Sequence, residues 1–210
     1  RFKLTPMLKR REDYTPPDFL VTAVDLNIDI HDLGSIVTTK LAVTSNPAAG
    51  GAAMLHLDGR GLELQSILVD GKPLADTDYS HDESGLQITG LTGACVVETI
   101  AKCHPETNTA LEGLYLSGGM YCTQCEPEGF RRIGFYPDRP DVMSIFTVRL
   151  EAARAYPQLL SNGNLIETGH SGTDRHFAIW HDPHPKPSYL FAAVVGDLDC
   201  VVDRFQTMSG

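Results

Sequence analysis

The sequence predicts an all-β fold of antiparallel sheets, either sandwich-like or strongly curved. Short segments alternate between apolar and polar side chains, as strands do when one face of a sheet is covered and the other meets water. Turn signals made of Gly, Asn and Asp recur about every ten residues, a spacing typical of all-β domains. With 42% hydrophobic content, 210 residues can bury one large core or two modest ones, and all-β domains often reach this size undivided. We therefore expect one all-β domain over residues 19–210, preceded by an extended lead-in over residues 1–18.

The first predicted strand runs from Phe19 to Ile30, where apolar residues alternate with Asp and Asn. Residues 31–34 end in Gly and form a predicted turn. The segment Ser35–Thr44 is rich in β-branched residues and is predicted to pair with the first strand. After a break at residues 46–51, four further strands are predicted over Ala53–Gly59, Leu62–Leu74, Gly85–Gly90 and Ala94–Lys102.

A hairpin is predicted just before a polar loop. The segment Leu111–Tyr121 reads as two apolar arms around a Ser-Gly-Gly corner, where glycine enters a left-handed turn at low cost. Gln124, Glu126 and Glu128 follow the second arm. Beyond them, Asp138–Asp141 contains a Pro and two Asp residues that predict the start of a short helix. The loop is therefore expected to be held at both ends.

The last third of the chain continues the strand pattern. Three segments are predicted first: a helical turn and strand over Met143–Ala153, a strand over Tyr156–Asn164 that ends in an Asn-Gly turn, and a strand over His176–Trp180. Three prolines in Asp182–Pro187 predict a stiff loop, because proline cannot donate to a strand ladder. The apolar segment Tyr189–Val195 is typical of a central strand, and another strand pair is expected within residues 197–207.

The charge balance argues against nucleic-acid binding. The chain has 17 Lys and Arg against 27 Asp and Glu, with a formal net charge of -10, whereas phosphate binding needs clustered cations. A cationic or amine-bearing ligand suits this charge better. No run of about 18 apolar residues predicts a membrane span. Five cysteines in a chain of this length do not indicate a disulfide framework, so we expect a cytoplasmic protein.

Three sequence patterns do not amount to catalytic sites. Cys122 and Cys125 have Cys-x-x-Cys spacing, but no second pair completes a zinc ribbon, and the surrounding pattern is not a βαβ unit. The eight histidines include no His-Glu-x-x-His, and the chain has no Gly-x-Ser-x-Gly. We therefore predict structural cysteines and surface or hydrogen-bonded histidines, with no metal site in this chain.

Glu126 and Glu128 are the acids with the most functional promise, although acids in a solvated loop usually contribute only to solubility. Pro127 between them restricts the backbone, and Gly129 permits another group to approach closely. A carboxylate about 4 Å from an ammonium gains about 1 kcal/mol in water and about 4 kcal/mol at an effective dielectric of 20. Such a loop therefore needs a cleft, whose second wall the sequence alone does not reveal.

Six ordered motifs carry a family resemblance. They are Asn108–Tyr115, Cys122–Glu126, Gly129–Arg131, Asp138–Asp141, Leu159–Gly163 and Asp182–Phe191. Together they closely resemble the N-terminal domain of the bacterial aminopeptidase N family, which are zinc aminopeptidases of the gluzincin type. The similarity begins near Phe19 and is densest over residues 105–196.

The resemblance implies a saddle-like β domain that rests against a thermolysin-like catalytic domain of the same polypeptide. It implies that Glu126 binds the free α-amino group of a peptide substrate, and that Gln124 lines the pocket for the first side chain. It also implies Zn²⁺ in the full-length enzyme, bound by the catalytic domain and by no residue of this chain. A fixed carboxylate facing the ammonium would let an exopeptidase count residues from the end of its substrate.

Two motifs of the full enzyme are absent from the chain. Neither a Gly-x-Met-x-Asn segment nor a His-Glu-x-x-His helix occurs. We therefore expect a fragment of a longer metalloaminopeptidase that does not hydrolyse peptides by itself. The alternative is a non-catalytic β-sandwich interaction module, which would bind a partner through a strand edge or through Asp182–Pro187.

Overall fold

The computed structural model describes residues 10–50 and 54–209, which form strands and short 3-10 turns. In chain order the strands are β1 (Phe19–Asp29), β2 (Ser35–Ser45), β3 (Met54–Asp58), β4 (Glu63–Val69), β5 (Lys72–Pro73), β6 (Tyr79–Asp82), β7 (Gly85–Thr89), β8 (Cys95–Cys103), β9 (Gly113–Ser117), β10 (Met120–Gln124), β11 (Ser144–Ala153), β12 (Gln158–Ser161), β13 (Asn164–Ser171), β14 (Arg175–Lys186) and β15 (Ala193–Gly196). The 3-10 turns are Arg11–Asp13, Pro47–Ala49, Pro105–Thr107, Phe130–Arg132 and Ser188–Leu190. None of these helical segments has the length and apolar content of a membrane span.

The strands of this region form three sheets, which confirms the all-β prediction. The largest sheet has eight strands in the order β13-β14-β11-β1-β2-β8-β4-β5, and the others have the orders β12-β15-β10-β9 and β3-β7-β6. One pairing departs from the antiparallel expectation, because β1 and β11 run parallel from Ala23 and Ile145 to Asp29 and Glu151. More than a hundred residues separate these two strands, so no tight turn forces them to be antiparallel.

The first predicted strands lie close to where the alternation placed them. The segments β1 and β2 match Phe19–Ile30 and Ser35–Thr44, and the inward residues of β1 are buried. The predicted strand over Ala53–Gly59 begins outside the described residues, and its described part is β3. The segment Leu62–Leu74 is split into β4 and β5 by a turn at Asp70 and Gly71, both of which have positive φ. Of the predicted lead-in, residues 1–9 lie outside the described range.

The predicted helix at Asp138–Asp141 is wrong, because the segment forms a turn. Asp138 is buried, and its carboxylate accepts hydrogen bonds from Arg131 and Ser188 rather than from the first amides of a helix. The helical turn predicted after Met143 is also wrong, since β11 begins at Ser144. In both places tertiary contacts decide a conformation that the local residues left open.

The proline-rich segment Asp182–Pro187 is not the predicted loop, because β14 continues through it to Lys186. The pairing of β13 with β14 reaches only as far as Asn164 and His181. On the other side of β14, the register with β11 shifts between Ser144 and Phe146. Prolines fit a strand where one neighbour has ended and the other pairing is irregular, because few ladder amides are needed there.

The C-terminal part differs from prediction in two further ways. Tyr189–Val195 holds a 3-10 turn followed by β15, and β15 does lie centrally, between β12 and β10. The strand pair predicted within residues 197–207 is absent from the described chain, where Val201 and Phe205 are 93% and 87% exposed. No described strand pairs with this segment, although Leu198 is half-buried and its amide donates a hydrogen bond of 3.0 Å to Gln158 Oε1.

Two strands gave no usable sequence signal. The side chains of β6 and β13 are mostly exposed, so no apolar alternation marks them. The Asn-Gly turn after β12 does not close a hairpin, because β12 and β13 belong to different sheets. An alternating pattern reports burial, and exposed edge strands lack it.

A buried aromatic cluster lies behind the polar loop. Phe130 meets Tyr136, Phe146 and Phe191 edge to face, with ring centroids 5.2, 6.0 and 5.3 Å apart. Phe130 is fully buried, and such contacts add roughly 0.5–1.5 kcal/mol per pair to the burial of the rings. The cluster joins the loop after β10 to β11 and to the segment before β15, and so fixes the backbone from which Glu126 projects.

Candidate functional site

The hairpin of β9 and β10 determines where the polar loop begins. Its register runs from Met120 opposite Ser117 to Gln124 opposite Gly113. The two residues of its turn, Gly118 and Gly119, have φ values of 57° and 84°. A two-residue turn of this kind requires positive φ at both positions, which is why the sequence has glycines there. Gln124 is therefore the last residue of β10, which lies between β15 and β9 in the four-stranded sheet.

The loop after Gln124 is closed tightly on itself. Cys125 is buried, and its carbonyl oxygen accepts a hydrogen bond of 3.0 Å from the amide of Gly129. Glu128 has a φ of 68°, a left-handed conformation that is uncommon for residues other than glycine. These constraints turn the backbone within four residues and leave Glu126 and Pro127 exposed at the tip.

Gln124 and Glu126 are brought together, but through the backbone of Glu126. The Nε2 atom of Gln124 donates a hydrogen bond of 3.1 Å to the carbonyl oxygen of Glu126. The Glu126 carboxylate itself has no hydrogen-bond or ion-pair partner among residues 10–50 and 54–209. The structure therefore presents Glu126 as an exposed, uncompensated anion whose main chain is braced by Gln124.

Glu126 lies at the rim of a groove of about 580 Å³. The groove is lined by Glu126, Pro127, Glu128, Asp138, Arg139, Pro140, Ser188 and Tyr189. Three chain segments thus supply its walls: the loop after β10, the turn before β11 and the 3-10 turn before β15. Gln124 is not among the residues that line this groove, and its side chain supports the loop through the hydrogen bond to the Glu126 carbonyl oxygen.

The cation nearest the groove is already neutralised. Arg139 donates two hydrogen bonds to Asp141, of 2.9 and 2.7 Å, and one of 2.8 Å to the carbonyl oxygen of Thr15. The Arg139 guanidinium holds the pKa of the Asp141 carboxyl below its usual range. Because Arg139 is occupied, it does not cancel the charge of Glu126, and the groove favours a positively charged ligand.

Arg131 and Asp138 form the main polar contact behind the groove. The carboxylate of Asp138 accepts hydrogen bonds of 3.1 Å from both the backbone amide and the Nε of Arg131. Its other oxygen accepts a hydrogen bond of 2.5 Å from Ser188 Oγ. Both residues lie in the sequence motifs quoted above, but their spacing gives no sign that they meet. The three-dimensional structure alone reveals this contact.

The described residues do not fit a zinc site. Among residues 10–50 and 54–209, no group of three or more His, Cys, Asp or Glu side chains could hold a metal ion. Cys122 and Cys125 are free thiols, and burial raises the pKa of the Cys125 thiol well above its usual value. A buried thiol of this kind is a poor nucleophile and a poor metal ligand.

A larger cavity of about 840 Å³ lies on the other side of Arg131. It is lined by residues 58–62 and 81–84 together with Arg131. Asp58 faces it but is already engaged, since its Oδ1 lies 3.5 Å from Arg131 Nη1 and 3.6 Å from His56 Nε2. Of the other acids in its lining, Asp82 accepts hydrogen bonds from Ser84, whereas Glu83 has no side-chain partner in the described chain. An unpaired acid is therefore not unique to the groove of Glu126.

Comparison with known proteins identifies the family. Residues 22–190 match the Peptidase M1 N-terminal domain family. Aminopeptidase N of Caulobacter vibrioides is 47% identical and that of Escherichia coli is 43% identical, each over 206 residues and 98% of this chain. The alignments cover 24% and 23% of those relatives, so the chain spans about a quarter of their length.

The fold is similar to that of a solved structure, aminopeptidase A of Legionella pneumophila in complex with aspartic acid. The TM-score is 0.92 with 34% sequence identity, over 96% of this chain and 24% of that one. The matches confirm the resemblance read from the motifs, and they do not favour the alternative of a non-catalytic interaction module. This chain belongs to the Peptidase M1 N-terminal domain family.

Proposed function

We propose that the chain is the N-terminal domain of a zinc-dependent aminopeptidase that removes N-terminal residues from peptides, and that Glu126 binds the free α-amino group of the substrate. The observation that carries the proposal is the unpaired Glu126 carboxylate at the rim of the groove. Family membership supports it, because the relatives over 40% identical are aminopeptidases. The Legionella relative is described in complex with aspartic acid, a free α-amino acid that carries an ammonium group.

A carboxylate held at a fixed position suits the task of an exopeptidase. An exopeptidase has to place the first peptide bond of its substrate, and a fixed carboxylate opposite the terminal ammonium sets that register. An ion pair gains about 4 kcal/mol at 4 Å when water is partly excluded, but only about 1 kcal/mol in bulk water. The exposed Glu126 would therefore act strongly only when another domain covers the groove.

The remaining parts of the proposal concern the protein beyond these residues. Zn²⁺ would be bound by a catalytic domain of the same polypeptide, because the described residues offer no set of ligands for it. That domain would be the main partner of this one, and the 210-residue chain by itself would be inactive. The cytoplasmic location stays a prediction from the cysteine content.

Substitution of Glu126 by Gln in the longer polypeptide tests the proposal. The change keeps the size of the side chain and removes its charge, so kcat/KM for an alanyl chromogenic amide should fall by about 100-fold or more. Glu167→Gln is the control, because Glu167 is exposed on β13 and has no recorded side-chain partner in the described chain.

Two results would contradict the proposal. Unchanged kcat/KM in Glu126→Gln would remove this carboxylate from the substrate site. Turnover of the amide by the purified 210-residue chain would show that this domain does not depend on a separate catalytic domain.

A further inference from the structure

We infer that Arg131 and Asp138 are positioning residues that hold Glu126 at the correct place for substrate binding. The inference rests on the proposed function of Glu126. Neither residue needs to touch the substrate. Their role would be to fix the three chain segments that form the groove relative to one another.

Asp138 has the geometry of a structural anchor. Its side chain is 2% exposed. One carboxylate oxygen accepts two hydrogen bonds of 3.1 Å from Arg131, and the other accepts one of 2.5 Å from Ser188. The backbone amide of Asp138 donates a hydrogen bond of 2.9 Å to Asp58 Oδ2. One buried residue therefore joins the turn before β11 to three other segments.

Arg131 extends this anchor to the tip of the loop. Its Nη2 donates a hydrogen bond of 3.2 Å to the carbonyl oxygen of Asp138 and lies 3.5 Å from Glu128 Oε2. Its Nη1 lies 3.5 Å from Asp58 Oδ1, at the end of β3. A guanidinium has several donors in one rigid plane, so these contacts restrict its orientation and that of the loop it joins. Glu128 is only two residues from Glu126.

The walls of the groove are the segments that this pair connects. Glu126 and Glu128 belong to the loop after β10, Asp138 to the turn before β11, and Ser188 to the 3-10 turn before β15. If the Arg131–Asp138 contact were weakened, the loop could shift relative to the opposite walls. A displacement of about 1 Å at a site that orients a substrate can reduce the rate by about 100-fold.

A positioning role and a purely structural role predict different kinetics. Asp138→Asn keeps the shape of the side chain but removes the charge that Arg131 contacts, and Ser188→Ala removes a single hydrogen bond. Glu151→Gln is the matched control, since Glu151 is also a buried carboxylate and contacts Arg149 and Arg175. It lies seven residues beyond Ser144 on β11, or about 23 Å along the strand, and it does not line the groove.

The experiment measures kcat and KM of the longer polypeptide at a temperature where each variant is folded. Asp138→Asn should lower kcat/KM by about tenfold and Ser188→Ala by less, whereas Glu151→Gln should leave it unchanged even at an equal loss of Tm. In a Glu126→Gln background, Asp138→Asn should change kcat/KM by less than about twofold, because it acts through Glu126.

The inference is overturned if the effects of Asp138→Asn and Glu126→Gln multiply, or if Glu151→Gln reduces kcat/KM as much. Should Asp138→Asn fail to fold, Ser188→Ala in the two backgrounds decides the same question. If Glu126→Gln lowers kcat/KM but neither Asp138→Asn nor Ser188→Ala does, this inference is overturned while the proposed function stands. If Glu126→Gln leaves kcat/KM unchanged, both are overturned.

Discussion

A Cβ atom on Gly129 would lie 2.3 Å from the carbonyl oxygen of Gln124. It would also lie 2.9 Å from the Cα of Cys125, and neither atom belongs to a flexible side chain. The loop that carries Glu126 therefore returns so close to β10 that only glycine fits at position 129. This close approach, rather than an unusual φ, explains the glycine.

Gly129→Ala should therefore destabilise the 210-residue chain by about 1–3 kcal/mol, because the backbone has to move to admit the methyl group. Thermal or urea unfolding measures the loss. The control is Gly118→Asn in the turn of the hairpin that precedes the loop, where a Cβ meets nothing within 4 Å and Asn tolerates the left-handed conformation. Equal stability of Gly129→Ala and the unsubstituted chain would contradict the close approach.

Gln124→Ala should distinguish two roles for this residue in the longer enzyme. Loss of its hydrogen bond to the Glu126 backbone should lower kcat/KM about two- to tenfold for every substrate, as expected for one neutral hydrogen bond. If Gln124 instead lines the pocket for the first side chain, the ratio of kcat/KM between alanyl and larger substrates should change. Kinetics on a series of aminoacyl amides separates the two outcomes.

His104 predicts a pH-dependent contribution to stability. Its ring nitrogens each lie 2.9 Å from a carboxylate oxygen, of Glu106 and of Glu63, and these hydrogen bonds raise the pKa of His104 above its ordinary 6.5. A raised pKa in the folded state stabilises the chain fully below the unfolded value, and this stabilisation is lost as the pH rises through the folded value. The cluster should thus stabilise the protein less in alkaline solution.

Glu106 determines the lower end of the pH range in which this cluster stabilises the protein. Burial opposes its ionisation, but its hydrogen bonds to His104 and to backbone amides lower its pKa below the ordinary 4.5 overall. Its contribution is therefore present above pH 4.5 and is lost as the pH falls through the folded value. The two contributions overlap between about pH 4.5 and 6.5.

The measurement is the difference in unfolding free energy between pH 6 and a pH above the titration of His104. His104→Gln should reduce this difference, by less than about 1 kcal/mol because the groups are partly exposed. His170→Gln, at an exposed position of β13, should leave it unchanged. An identical pH profile for His104→Gln would disprove the contribution.

An exposed apolar surface predicts self-association of the isolated chain. Leu160 on β12 and Leu165 and Ile166 on β13 are 42%, 51% and 59% exposed, and the first two line a groove of about 510 Å³. Apolar surface of this kind promotes association. Sedimentation of the 210-residue chain at high concentration should detect oligomers that Leu165→Lys weakens. Leu33→Lys, at an 82% exposed turn position, is the control, and a monomer at all concentrations would contradict the prediction.

The sequence by itself determined the elements whose signal is local. Alternation of apolar residues located β1 and β2, because the buried face of a strand requires apolar side chains. Two glycines located the hairpin turn between β9 and β10, because positive φ favours glycine. The motifs around Gln124 and Glu126 were enough to identify the family, since their order along the chain is itself specific.

Only the tertiary structure decided what depends on contacts between distant residues. The parallel pairing of β1 with β11, the continuation of β14 through its prolines and the turn at Asp138 each follow from a partner far away in sequence. The groove has the same origin, because its walls come from segments about 60 residues apart that Arg131, Asp138 and Ser188 hold together. The type of a residue indicates whether it prefers burial or a turn. Which distant residues come into contact depends on how the long loops between them close in the folded chain.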